Sequence, residues 1–315
     1  MPSSSSSSVF ISVDVFEWGF FVTKIVVGLS VFALGMLYAN QDKLLYMPNP
    51  PGFTVDPADN PPSCKSPDEW STTGKRCRAG DSNSIPFEDK MLTTVDGKQI
   101  HTWLLLQPNS DNVPTLIYFH GNAGNMGFRL SNAASMYAKI GINVLMMDYR
   151  GYGRSTGSPT EVGLNIDADT VLEYAINHPK LKNSPMIAFG RSLGGAVSIA
   201  LAHRHPDQIK GVIVENTFLG ISAMVDKLMP FVTPIKPFVL KIKWDSDVKI
   251  QQLKQPILFI SGDADQLVPP FHMKQLFEAA TLSRNRQFFS VSGGGHNDTF
   301  MVASDYYERL REFLE

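Results

Sequence analysis

The chain has 315 residues, with 28 Lys and Arg against 30 Asp and Glu for a net charge of −2, and only two cysteines. No basic excess is available for nucleic acid, and Cys64 and Cys77 are too few for a zinc site or a disulfide scaffold. No HExxH, Walker loop or GxGxxG occurs, so neither a metal nor a nucleotide cofactor is implied.

Residues 1–17 open on a serine tract, Ser3 to Ser8, predicted to be disordered because it has little to bury. Residues 18–39, WGFFVTKIVVGLSVFALGMLYA, carry Lys24 as their sole charge. About 20 such residues span the hydrocarbon of a bilayer. Trp18, Phe20, Phe21 and Tyr38 suit the two interfaces, and Lys24 lies near enough to one end to snorkel. A cleaved signal peptide would begin with basic residues and end in a small-residue cleavage site; here Asp14 and Glu17 precede the run. A core helix apolar on every face, outside the main domain, would find nothing to bury it. The segment is therefore expected to be an uncleaved anchor in contact with membrane lipid.

Residues 40–86 include MPNPPGFTVDPADNPPSC, which has neither helical nor strand period and is predicted to be a linker or surface insertion. From Phe87 the pattern changes. FEDKMLTT and KQIHTWLLL flank VDG as a β-hairpin would. Short apolar runs follow: TLIYFHG, INVLMMDYRG, PMIAFGRS, GVIVEN, PILFISG and RQFFSVSG. Helical patterns such as TEVGLNIDADTVLEYAINH and FHMKQLFEAA lie between them. Continuous apolar strands alternating with helices predict an α/β domain, residues 87–315, with a mostly parallel sheet covered on both faces. NDTFMVASDYYERLREFLE closes it as one amphipathic helix. Residues 217–255 form a long apolar connection. It fits either a lid or binding wall or a core helix kinked at Pro230, Pro234 and Pro237.

FGRSLGG stands between a strand and the helix LGGAVSIALAHRH. This is G-x-S-x-G at a strand-to-helix turn, with Gly190, Ser192 and Gly194, the geometry that lifts a serine hydroxyl above a sheet. A serine needs a base, and the base an acid, in the chain order Ser, acid, His. His296 is the one histidine both late in the chain and just past a strand. Asp263 and Asp265 share the preceding strand's loop, SGDADQLVPP, and either fits as the acid. An oxyanion hole needs two backbone N–H groups. Leu193, after the serine, supplies one; the loop HGNAGNMG supplies the other, assigned to Asn122. His120 in that loop is read as structural.

YFHGNAGNMGFRL, MMDYRGYGRSTGSPTE, GRSLGGAVSIALA and GGGHNDTF resemble the α/β-hydrolase superfamily and, within it, the bud emergence protein 46 group, over residues 87–315. The family spacing G-x-x-D-x-x-V-P matches Gly262, Asp265, Val268 and Pro269 and favours Asp265 as the acid. The resemblance implies a membrane-anchored serine hydrolase acting on esters or thioesters through an acyl-enzyme. A neighbouring branch that removes palmitate from proteins makes a lipidated protein a candidate substrate. A lipid or peptide hydrolase on the same triad, and an inactive scaffold on a hydrolase fold, are the alternatives. The resemblance also favours an anchor with the domain in the lumen. There Cys64 and Cys77 would close a small loop, worth roughly 3 kcal/mol. A Cys64–Cys77 disulfide is thus expected, and no glycan on Asn297, whose sequon adjoins His296.

Overall fold

Runs that are apolar at every position make strands buried on both faces, and those at the centre of this sheet are buried almost throughout. The computed structural model describes residues 15–315. The helices α1 (Val15–Ala39) and α2 (Gln41–Leu45) precede the sheet. Eight strands follow among the described residues: β1 (Phe87–Thr93), β2 (Gln99–Leu105), β3 (Thr115–Phe119), β4 (Asn143–Met147), β5 (Met186–Arg191), β6 (Ile209–Glu215), β7 (Ile257–Gly262) and β8 (Arg286–Val291). Their spatial order is β1-β2-β4-β3-β5-β6-β7-β8. β1 and β2 form the expected antiparallel hairpin, with Phe87 opposite Leu105, and β2 is antiparallel to β4. Every other pairing is parallel.

Helices α3 (Leu130–Ile140), α4 (Glu161–Asn177), α5 (Leu193–Arg204), α6 (Ile221–Leu228), α7 (Lys236–Val239), α8 (Ser246–Ile250), α9 (Phe271–Ala279), α10 (Thr299–Val302) and α11 (Tyr306–Leu314) cover the sheet and its upper edge. Side chains of a strand alternate between faces, and β3 shows it. Ile117 and Phe119 pack with Val197 of α5 and Leu172 of α4 in one core. Leu116 and Tyr118 pack with Leu130 of α3 and Tyr306 of α11 in the other. Thr160 caps α4, accepting from the Gly163 N–H at 3.0 Å, which fixes where that helix begins.

Four expectations need correction or bounding. The serine tract, Ser3 to Ser8, lies outside the described residues. Of the linker and surface insertion that residues 40–86 admitted, the structure has an ordered insertion: its backbone bonds close local turns, such as Ser71 N–H to Lys75 O at 2.8 Å, which leave no periodicity to read. Trp70 and Ile85 anchor it in the second core. The single C-terminal helix is two, α10 and α11, parted at Ala303–Asp305; Ser and Asp favour helix ends over interiors. Cys64 and Cys77 are free. The amide of Cys77 donates to Glu69 O, and its thiol lies 3.4 Å from Asp68 O and 3.7 Å from Ser84 Oγ. Cys64 sits in a separate turn closed on Pro61 O, where burial pushes its thiol pKa up. The expected Cys64–Cys77 disulfide is not formed.

Candidate active site

Parallel strands send their C-terminal ends to one edge, and the loops that follow β3, β5, β6, β7 and β8 meet there. After β5 the chain turns into α5 within one residue. Ser192 takes φ 56° and ψ −121°, a positive φ that only a few non-glycine residues here adopt. Such backbone is strained by about 1–3 kcal/mol and persists only where the surroundings enforce it. They do so by close approach: a side-chain carbon on Gly190 would come within 2.0 Å of Gly194 O. One on Gly194 would come within 2.0 Å of Phe119 O. The glycines flanking the serine are thus required by packing.

The Ser192 N–H donates to Glu215 O at 2.9 Å, and Thr217 Oγ1 donates to Ser192 O at 2.7 Å. Between them Asn216, at φ 46°, reaches sideways. Its Nδ2 donates to Gly295 O at 2.9 Å and to His296 O at 3.2 Å, and its Oδ1 accepts from the Gly262 N–H at 2.8 Å. One side chain therefore ties the end of β6 to the His296 loop and to the end of β7. His296 Nδ1 lies 2.7 Å from Asp265 Oδ2. Asp265 is held from the other side, with Oδ1 accepting from the Leu267 and Val268 N–H groups, each at 2.9 Å. Its side chain is fully buried and that of His296 12% exposed. Asp263 is placed otherwise: it is exposed, and its Oδ1 accepts from the Gly293 N–H at 2.6 Å.

Beneath this loop Arg191 and Glu215 form a buried ion pair at 3.1 Å. Arg191 Nη1 also donates to Asn297 O at 3.2 Å, while Tyr306 and Thr299 donate their hydroxyls to Glu215. Breaking such a pair by removing one partner leaves an uncompensated buried charge and costs about 3–5 kcal/mol. The residue before the serine and the residue after the histidine are thus fixed to each other.

The loop after β3 passes beside the serine: a side-chain carbon on Gly121 would sit 3.7 Å from Ser192 Cβ. Among the described residues neither the Asn122 nor the Leu193 backbone N–H has a protein acceptor. The Asn122 side chain is occupied, accepting from the Tyr152 hydroxyl at 2.8 Å and donating to Leu45 O at 2.5 Å. His120 is fully buried; burial pushes its pKa down to about 4, with Asp148 at 3.6 Å opposing that shift. The ring is neutral at pH 7, and its Nδ1 bonds Gly121 O at 2.7 Å. His272, behind the acid loop, is likewise buried and lowered to about 4 by burial.

A cavity of about 370 Å³ opens at Ser192. Leu193, Asn122 and Val268 line it at the serine, and Phe218, Met224 and Val225 of the long connection form one wall. Residues before the domain line it too: Leu37 of α1, and Gln41, Leu44 and Leu45 of α2. Sequence reasoning missed these, and it missed Asn216 and the Arg191–Glu215 pair. An Asn or Glu ending a strand beside the motif was the only available signal.

Strand order, parallel core and serine turn together define the α/β-hydrolase fold. A family model described as serine aminopeptidase, S33, matches residues 111–246. Protein bem46 of Schizosaccharomyces pombe is 38% identical over 90% of this chain and 89% of its own. The α/β hydrolase domain-containing protein WAV2 of Arabidopsis thaliana is 34% identical, over 91% and 92%. An uncharacterised membrane protein of Saccharomyces cerevisiae is 37% identical, over 74% and 81%. The chain belongs to the bud emergence protein 46 group of α/β hydrolases. Among solved structures it is similar to the Pyrococcus furiosus esterase Pf2001, with a TM-score of 0.60, 21% identity, and 73% of this chain and 92% of that chain covered. It also resembles acetyl xylan esterase 1 from Thermoanaerobacterium, with a TM-score of 0.59, 18% identity, and 75% and 85% covered.

Proposed function

We propose that this chain is a membrane-anchored serine hydrolase that cleaves carboxylic esters or thioesters of apolar acyl chains. Ser192 Oγ attacks the acyl carbonyl carbon as His296 Nε2 takes its proton. The oxyanion that forms is held by the N–H groups of Leu193 and Asn122. Collapse expels the alcohol or thiol, which receives the proton from His296. Water, deprotonated by the same imidazole, then releases the acid and restores the serine. Asp265 holds the ring and stabilises its charged form. No cofactor enters the scheme. The α1 helix is the anchor: it is long and apolar enough to cross a membrane, and none of that window is buried by the protein.

The observation that carries this reading is the cavity, whose apolar walls end at the serine. The descriptions of the family model and of the esterase neighbours agree at the level of hydrolysis. A free amino terminus, as an aminopeptidase would bind, calls for a carboxylate, and the described lining residues offer none. A lipidated protein is the substrate the resemblance brings forward, with a fatty acyl lipid beside it. The reading is tested with a fluorophosphonate probe on the full chain. The wild type should label, and Ser192→Ala should fold and stay unlabelled. Failure of the folded wild type to label would favour an inactive scaffold, and labelling of the variant at another serine would remove Ser192 from its role.

A further inference from the structure

The cavity is closed on one side by the chain's own N-terminal helix. Of the side chains in residues 18–39, only Leu34 and Leu37 are half-buried; the rest are exposed. These two lie one turn apart on one face. The last turns of α1 pack against α7, and Leu37 reaches the cavity wall. A helix of 25 residues is about 37 Å long, against a hydrocarbon core of about 30 Å. The final turns of α1 therefore lie at the bilayer boundary, and whatever packs on them lies there too.

The segment from α6 to α7 packs on them, and it shows a matching surface. Phe231 is 76% exposed, Phe238 83%, Leu228 56%, and Leu44 of the neighbouring α2 64%. Several large aromatic and aliphatic side chains exposed along one short segment and its neighbour are what an interaction surface presents. Other residues of the same segment, Val232 and Val239, are buried beneath and line the cavity. Lys43 and Lys227, both exposed, flank the apolar residues, as snorkelling side chains at headgroup level do; Lys241 pairs with Asp42 at 2.8 Å. An interfacial helix sinks its apolar face about 5–10 Å into the headgroup and acyl boundary.

We propose that the segment α6–α7 lies in the membrane interface beside the last turns of α1, and that the cavity fills from the hydrocarbon. The substrate is then a bilayer-resident long-chain acyl ester or thioester that enters sideways. This rests on the membrane-anchored hydrolase reading but is tested without activity. Full-length protein carrying Cys64→Ser and Cys77→Ser receives one environment-sensitive label, at Phe238→Cys or at Leu282→Cys. Leu282 is exposed at the N-terminal edge of the sheet, away from Ser192. Each is reconstituted into phosphatidylcholine vesicles with and without brominated acyl chains.

The label at position 238 should shift to the blue and be quenched by bromine, and the label at 282 should do neither. A water-like label at 238, in protein whose α1 is shown to be inserted by quenching of the same label placed at Val31→Cys, overturns the inference and leaves the hydrolase reading intact. A quenched label in protein that also carries Ser192→Ala supports the inference whatever the activity. A second arm pairs Phe231→Asp with Phe238→Asp. The rate on a palmitoyl thioester embedded in vesicles should fall about tenfold or more, equivalent to at least 1.4 kcal/mol, with the rate on a soluble butyryl ester unchanged. An unchanged vesicle rate overturns the inference; if both rates fall together, the label at 238 decides.

Discussion

At the scale of single residues, two aspartates two positions apart have been given different work by the backbone around them. Asp265 uses both oxygens, one on the Leu267 and Val268 N–H groups and one on His296. Asp263 faces outward and closes a turn on Gly293. Replacing Asp265 by Asn puts an amide against a ring nitrogen that must donate, which disturbs its tautomer and orientation. In the worked serine-protease case such a change costs on the order of 10⁴-fold in kcat. Asp265→Asn should lose activity on that order on a soluble short-chain ester, while Asp263→Asn should keep it within a few-fold. The reverse ranking in two folded variants would exchange the roles. The residue types alone left these aspartates equivalent, because both lie in one polar loop; only the family spacing preferred Asp265. The serine turn was more legible, since its two flanking glycines are demanded by contacts that admit no side chain. Asn216 was barely legible, its only mark being an Asn at the end of a strand. Its importance comes from a positive φ and three bonds to segments remote in sequence, and neither leaves a pattern.

Among the elements, the connection after β6 is where the sequence stayed ambiguous. Its apolar residues admitted both a wall and a kinked core helix, and the structure shows why. Ile221 and Val239 are buried against the domain while Leu228 and Phe238 are exposed, so apolar side chains occupy both surfaces of one short segment. Pro230 ends α6 and opens a 3₁₀ segment that contains Pro234, and Pro237 sits in the first turn of α7. Under the proposed function, the wall they make sets how far an acyl chain extends from Ser192. A cavity of about 370 Å³ is in the range of small-molecule pockets, and each buried methylene contributes about 0.8 kcal/mol. On that basis kcat/KM should climb along an ester series from acetyl to decanoyl and then level off. Met224, which lines this wall, provides the control: Met224→Trp should move the plateau to shorter chains and leave the acetyl ester unaffected. A flat series would rule out an acyl-binding cavity, and an unmoved plateau would place the acyl chain elsewhere.

For the molecule as a whole, the alternation of strands and helices was readable because each run had to be buried on both faces of one sheet. The join between α1 and the domain was not, because it depends on a few polar side chains in a segment without period. Gln41 is buried between the two. Its Nε2 donates to Val239 O, and its Oε1 accepts from the Lys241 N–H at 2.9 Å. Nearby Trp244 Nε1 donates to the Tyr46 hydroxyl at 3.0 Å, and the Met47 N–H donates to Asn122 Oδ1 at 3.3 Å. The stretch between α1 and the domain thus holds the α7 end of the wall and the loop proposed to supply an oxyanion donor. Gln41→Leu keeps the volume but strands the Val239 carbonyl and the Lys241 amide without partners. A buried group left so costs about 1–3 kcal/mol. At roughly 2–4 °C per kcal/mol for a domain of this size, thermal unfolding of the full chain in detergent should begin several degrees lower. Because Gln41 lines the cavity rather than touching the reacting atoms, KM for a long-chain ester should rise, whereas labelling of Ser192 by a small fluorophosphonate should keep its rate. If instead Tm and KM both hold, the join is a tether alone and the cavity is complete without it; if labelling slows together with KM, the disturbance has reached Asn122, and the anchor helps to shape the oxyanion site.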